Sequence, residues 1–343
     1  MTMNLKELSA KLGLSQTTVS RALNGYPEVN EATRQRVLAA AERHGYRPSP
    51  AARRLATGRA QALGIVFPME RNVLLDPLFI EFLAGVCEVA GRHGFDILVS
   101  PTTADQELAT YERLARDGTV DAVILSSPGL EDERIRRVAK RGFPAVVHGR
   151  PNSDVQIASL DIDNEGAFHQ AGRFLAQLGH RRIALLNGDE KLSFAADRRA
   201  GFVRALREAG IEPGDELFFS GQMSVENGYR FARAALAGPR PPTAFLCASI
   251  LVALGAQRAI AESGLSIPDD VSVIAHDDEM PSFRADHLHP PMTTTRSSIR
   301  AAGVRVAEMA IARIGGQPPE GLREVWPVEL VVRGSTGPAR GRD

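Results

Sequence analysis

Cysteine, tryptophan and lysine are scarce in this chain: two, one and four residues respectively among 343. Cys87 and Cys247 stand 160 positions apart in apolar surroundings. That number excludes a disulfide scaffold and leads us to expect buried free thiols in a reducing compartment. No stretch approaches the ~20 consecutive apolar residues of a membrane helix. The opening MTMNLKELSAKLG has charges where an export signal needs an apolar run, so a cytoplasmic protein with no membrane partner is expected. Several enzyme motifs are missing as well. There is no Gly-x-Gly for a dinucleotide, no Lys followed by Ser or Thr for a phosphate loop, and no Gly-x-Ser-x-Gly elbow. Neither catalysis nor a cofactor is expected.

What is present is unevenly distributed. Lys+Arg and Asp+Glu are 41 each, a formal net charge of zero. Residues 1–60 nevertheless hold ten basic and four acidic side chains, +6, and the remainder balances at −6. A small basic module on a mildly acidic body is the pattern of a nucleic-acid-binding protein. The length suits two or three domains.

Leu5, Leu8 and Leu12 fall at helical spacing and Gly13 stops that helix; Ser15 is placed to cap the next. There Val19 and Leu23 form an inward face, while Gln16, Thr17, Ser20 and Arg21 share the outward one. Asn30 caps a third helix with Val37, Leu38 and Ala41 inward and Gly45 as its stop. Three such helices make a helix-turn-helix over 1–46. Short polar side chains on the second helix are those that approach base edges in a major groove: Gln suits adenine, Arg guanine, and Thr offers a methyl to thymine.

The run LKELSAKLGLSQTTVSRALNG, followed by VNEATRQRVLAAAERHGYRPSPAARRLATG, resembles the DNA-binding headpiece of the lactose-repressor (LacI–GalR) family of bacterial regulators, without a gap from Leu5 to Gly58. The resemblance implies that Gln16, Thr17 and Arg21 read bases, while Ser15, Ser20, Asn24 and Thr33 hold phosphates. It further implies that 47–60 is a hinge that pairs with its dimer mate in the minor groove, with Leu55 as the wedge at the central base step and Ala52 supporting it. Arg53 or Arg54 would add phosphate attraction. Read alone, AARRLA is helix-forming sequence too short to be stable in water.

From Ala62 onward apolar runs (ALGIVFP, FDILVS, DAVILSS, AVVHGR) alternate with amphipathic helices, and the rhythm restarts with RRIALLNG, ELFFS, TAFLCAS and VSVIAHDD. This is an α/β core of two doubly wound parallel-sheet subdomains. Ligand residues in such sheets sit just past the C-terminal strand ends. That rule nominates Met69–Glu70, Ser126–Ser127, His148–Arg150, Asn187, Ser249 and Asp277. The segments LGHRRIALLNG, DRRAGFVRAL, IPDDVSVIAHDD, HPPMTTTR and VVRGSTG extend the resemblance to about Gly337. They imply a core like the periplasmic sugar-binding proteins, with crossovers near Ala158, His289 and Gly321. The subdomains are then 61–159 with 290–321, and 160–289 with 322–337, followed by a flexible tail at 338–343.

By the same resemblance Arg198 clamps a small-molecule effector and Asp277 accepts from its hydroxyls. Asp76 and Phe79 supply an acceptor and a stacking face, with Ser126, His148 and Ser249 completing the ligand set. The chain departs from the family in carrying Ser249-Ile250 where Asn-Asp is usual. The CAS variant, with GLSQTTVSRALNGYPEVNEATR, resembles the repressors of α-glucoside utilisation genes. The expected function is an effector-responsive repressor that binds a palindromic double-stranded DNA operator as a homodimer, with a sugar as effector. The alternative is a cytoplasmic solute-binding or sugar-processing α/β protein with an accessory DNA-binding module. HDDEMPSFRADHLH contains three His and three Asp, but no pair has the spacing of a zincin helix, and no metal is expected.

Overall fold

A computed structural model describes residues 3–46, 58–69, 76–151, 154–277 and 279–340. It opens with three helices, α1 (Leu5–Leu12), α2 (Gln16–Leu23) and α3 (Glu31–Arg43). Asn4, Ser15 and Asn30 each accept a hydrogen bond from the amide three residues on, at 3.0, 3.0 and 2.8 Å. Each of these bonds satisfies one of the orphan donors of a helix start. Gly13, at φ 62°, makes the turn between α1 and α2. Leu8, Val19 and Val37 are fully buried together. Leu38, expected inward, is 41% exposed. It sits 100° around the helix from Val37, off the stripe that meets Leu8 and Val19.

The body is built from two six-stranded sheets. The first runs β11-β5-β4-β3-β1-β2 and is parallel throughout. Its strands are β1 (Ala62–Pro68), β2 (Asp96–Thr102), β3 (Ala122–Ser126), β4 (Ala145–His148), β5 (Ala158–Ile162) and β11 (Arg323–Trp326). The second runs β12-β10-β9-β8-β6-β7, from β6 (Ile183–Asn187), β7 (Phe218–Ser220), β8 (Ala244–Cys247), β9 (Ser272–Asp277), β10 (Thr293–Arg296) and β12 (Glu329–Val331). Its edge strand β12 is antiparallel to β10, a departure from the all-parallel expectation. Both sheets share one winding. The second strand lies on one side of the first and the later ones on the other, which leaves a switch point between β1 and β3 and another between β6 and β8.

Eight helices cover these sheets among the described residues: α4 (Pro77–Arg92), α5 (Glu107–Arg116), α6 (Glu133–Lys140), α7 (Asn164–Gln177), α8 (Ser193–Glu208), α9 (Val225–Leu236), α10 (Ile250–Glu262) and α11 (Ile299–Ile314). The chain passes between lobes three times, after Ile162, Arg296 and Trp326. The boundaries expected at 159, 289 and 321 therefore shift by several residues. The register explains why: Asp161 and Ile162 still pair with Val325 and Trp326 in the first sheet, and Thr293–Arg296 still pair with β9 in the second.

Helix α11 returns to the first lobe and crosses α4 closely. A Cβ on Gly303 would lie 2.1 Å from the Phe82 carbonyl oxygen, and one on Gly85 would lie 2.1 Å from that of Arg300. Cys247 is buried in β8, where burial pushes its thiol up. Cys87 is exposed on α4, contrary to the expectation of two buried thiols, because it lies off the stripe formed by Phe82, Val86 and Val89. No helix among the described residues is long and apolar enough to cross a membrane.

Candidate functional site

A cavity of about 380 Å³ lies between the C-terminal strand ends of the two lobes, the size range of small-molecule sites. Asp76, Phe79, Ser126, His148 and Arg198 all line it. One wall is aromatic: the His148 ring stacks on Phe82 with centroids 4.5 Å apart, and Phe79 leans on Phe67 at 5.8 Å. Asp76 caps α4 by accepting from the Leu78 amide at 2.9 Å, which fixes its carboxylate at the cavity edge.

The opposite wall is organised around Arg198, buried on α8. Its Nε donates to Asn164 Oδ1 at 2.8 Å and its Nη1 to the Ala248 carbonyl at 2.7 Å. The guanidinium also lies 5.0 Å from the ring centroids of Phe168 and Phe194. Gly201 permits this arrangement, because a Cβ there would fall 2.0 Å from the Glu165 carbonyl and part α7 from α8. Asp161, at the end of β5, lies on the floor and accepts from Asn164 Nδ2 at 3.3 Å. Burial, reinforced by the nearby Asp197 carboxylate, pushes its carboxyl up to about 6 against the Ile162 amide and the charges of Arg150 and Arg198.

A second guanidinium, Arg134, reaches the cavity from α6. It is held by Asp132, at 2.9 Å to Oδ1 and 2.6 Å to Oδ2, and by Glu107. Both cavity-lining arginines are thus engaged by protein groups, while the lining acids are Asp76, Glu107, Asp161 and Asp189.

One edge of the cavity is stitched shut. Gly129 and Leu192 form an antiparallel bridge, the Ser193 amide donates to the Pro128 carbonyl at 2.9 Å, and the Leu130 amide donates to that of Lys191 at 3.3 Å. Arg150 of the first lobe forms an ion pair with Asp197 of the second. Gly149, at φ 120°, packs beneath Pro128, where a Cβ would lie 2.6 Å from Cδ.

Of the nominated residues, Ser249 and Asp277, with Met69, Arg150 and Asn187, are not on this lining. Ser249 is fully buried and caps α10, accepting from the Val252 amide at 3.3 Å. Asp277 is buried at the end of β9, accepts from the Glu279 amide at 2.9 Å, and borders a separate depression with Arg284, Arg296 and Arg333. The strand-end rule failed for both because the adjoining turn consumes the side chain. Asn187 behaves likewise, its amide donating to the Ala195 carbonyl at 2.8 Å. Ile250, at the other half of the family departure, is a core residue. His276 directs its two ring nitrogens at the hydroxyls of Thr295 and Ser297, 3.0 and 3.1 Å away.

On the headpiece, Gln16, Thr17 and Arg21 are exposed together on α2. Ser15 Oγ faces Thr18 Oγ1 at 2.8 Å, and Asn24 Nδ2 donates to the Ser20 carbonyl at 2.8 Å, closing the C-terminal end of α2. Thr33 is half-buried in the first turn of α3. Ala52, Arg53, Arg54 and Leu55 lie outside the described residues, as do Glu70 and Asp278.

Residues 4–49 match the bacterial regulatory proteins of the lacI family, and residues 173–336 match a periplasmic binding protein-like domain. The HTH-type transcriptional regulator AglR of Rhizobium meliloti (strain 1021) is 50% identical over all of this chain and 96% of its own length. The chain belongs to the LacI family. Among solved structures, a CelR–cellobiose complex superposes with a TM-score of 0.71 at 29% identity, over 97% of this chain and 99% of the other. A lac repressor dimer bound to operator and the anti-inducer ONPF gives 0.82 at 26% identity, over 98% and 100%. As a family member the protein is a DNA-binding transcriptional regulator with an effector-responsive core.

Sequence reasoning missed Glu107, Arg134, Asp161, Asn164 and Ser193 on the lining. Asp161 was within reach: ASLDI is a strand with its acid near the C-terminal end, obscured by the helix that begins two residues later. Glu107 and Arg134 carry no such signal, since they come from helices and not from strand ends.

Proposed function

We propose that this regulator binds a palindromic operator as a homodimer and releases or grips it according to whether a neutral sugar, an α-glucoside, occupies the cavity. The observation that carries the effector half is the lining itself. It combines an aromatic wall for the apolar face of a pyranose with a polar floor of Asp161, Asn164 and Arg198. Because Arg134 and Arg198 are both engaged and four acids line the space, a phosphorylated or carboxylated sugar is disfavoured. The operator half rests on the exposed Gln16–Thr17–Arg21 surface and on the symmetry of half-site recognition. The family resemblance supports the hinge role of Leu55, the phosphate contacts of Ser20, Asn24 and Thr33, and the α-glucoside assignment. On this reading the chain has no catalytic step.

The test is an operator selected from random duplex DNA, titrated with the protein in the presence of maltose, trehalose, sucrose, glucose 6-phosphate and adenosine. A change in operator affinity with a neutral α-glucoside alone is the expected result. A response to the phosphorylated sugar or the nucleoside alone would overturn the effector assignment, and failure to select a palindrome would overturn the dimeric one.

A further inference from the structure

The point where the chain enters the body is built around one carboxylate. Asp121, half-buried just before β3, accepts from three consecutive amides: Ala60 at 2.8 Å, Gln61 at 2.6 Å and Ala62 at 3.4 Å. An extended strand cannot do this, because its successive amides point to opposite sides. The turn comes from Gln61, whose φ of 53° lies in the left-handed region that a residue other than glycine enters at a cost. Such a conformation persists where its surroundings dictate it, and here they do so on both flanks. The Asp96 amide, at the start of β2, donates to the Gln61 carbonyl at 2.8 Å, and the Asp121 amide donates to that of Ala62 at 2.8 Å. Consecutive amides turned toward one anion form a concave nest, and Asp121 fills it. Ala60 also packs against the core cluster that includes Val120 and Val123, while Gly58 and Arg59, just before it, are exposed.

The nest lies at the N-terminal ends of β1 and β3. The cavity takes Phe67, Pro68 and Ser126 from the C-terminal ends of the same two strands, which pair in register from Leu63–Ala122 to Ile65–Ile124. Along the chain, the headpiece reaches β1 only through this point. We infer that Asp121 is a positioning residue for operator binding: its carboxylate fixes where, and in which direction, the DNA-binding segment leaves the first lobe. Without the nest, Ala60 and Gln61 would have to be ordered during DNA binding instead of beforehand, which lowers affinity. The inference rests on the operator reading given above. Asp121 acts through the backbone, and its negative charge taken alone works against a phosphate partner. The two effects therefore differ in sign.

Trypsin reads the joint directly, because it cuts after arginine and the Arg59–Ala60 bond carries the first amide that Asp121 holds. In the full-length unsubstituted protein that bond, followed by mass spectrometry, should be cut at least roughly tenfold more slowly than in a free peptide of residues 56–66. Asp121→Asn keeps the volume but puts an amide donor among the three backbone donors, and should speed the cut at that bond. The same variant should bind an operator selected from random duplex DNA roughly tenfold more weakly, with affinity for an unselected duplex unchanged or higher. Tighter binding to both duplexes would show that Asp121 acts only through its charge, and a loss shared equally by both would place the damage in the headpiece; either overturns the inference. Cleavage of the unsubstituted protein as fast as the peptide overturns it too, whatever the stability of the variant. Failure to select any operator would overturn the operator reading and the positioning role together, with slow cleavage at Arg59 still marking a formed nest.

Discussion

Two residues on the cavity floor carry distinct and separable consequences. Arg198 donates to a side-chain amide and a main-chain carbonyl while lying near two aromatic rings. Arg198→Ala should abolish the effector response in an operator titration and cost roughly 2–3 kcal/mol of stability, with operator affinity retained. Arg198→Lys should fail as well, because a point charge cannot make both bonds of the fork. Asp161 has its carboxyl raised to about 6, against an unfolded value near 4. Between these values the native state binds more protons than the unfolded one at this group, so the contribution of Asp161 to stability is fullest below about pH 4 and is lost as pH rises through 6. Sugar affinity should run the other way, since the ionised carboxylate is the better acceptor. Asp161→Asn should flatten both trends in denaturation and calorimetry across pH 4–7. Of the residues on the lining, Arg198, Asp76 and Phe79 came from the family resemblance, and Ser126 and His148 from strand ends. Ser249 and Asp277 were nominated by the same rule yet turned to local bonds, because a side-chain oxygen at a helix start or tight turn is claimed first by the nearest amide.

At the scale of elements, the closest approaches in the body are made by paired helices that touch through glycine. Gly303→Ala would drive a methyl into the Phe82 carbonyl and separate α11 from α4, the helix whose start holds Asp76 and Phe79. A loss of about 3 kcal/mol or more in denaturant unfolding is expected, together with weaker sugar binding; a variant as stable as the parent would refute the close packing. The apolar runs of β1, β3, β4, β6, β8 and β9 were readable because strands buried on both faces are continuous apolar stretches. The edges were harder. In β11 exposed and half-buried positions alternate over four residues and β12 has only three, too short a pattern to assign to one sheet or the other. The resemblance put the last crossover near Gly321, before β11, and the strand order puts it after. The helix-turn-helix was legible down to two of its caps, because Ser15 and Asn30 each precede a clean turn of helix, while the cap at Asn4 went unread.

For the whole molecule, the seam is one place where the two lobes are held by main-chain bonds and an ion pair. The Arg150–Asp197 pair is half exposed on the arginine side and is worth less than about 1 kcal/mol, so Arg150→Ala should change sugar affinity by no more than about fivefold. Gly149→Ala strikes the backbone support of the seam at Pro128 and should cost far more, with a larger radius of gyration in small-angle scattering. Equal effects from the two substitutions would place the coupling elsewhere. The threading of the chain also bears on how the protein is made. The core of the first lobe includes Val306 and Met309 of α11, and its sheet edge is β11 at Arg323–Trp326. A ribosome that has finished the first 160 residues has therefore not yet supplied the groups that bury Phe82 and Val86. The first lobe must wait, partly assembled, until the chain has been read as far as Trp326.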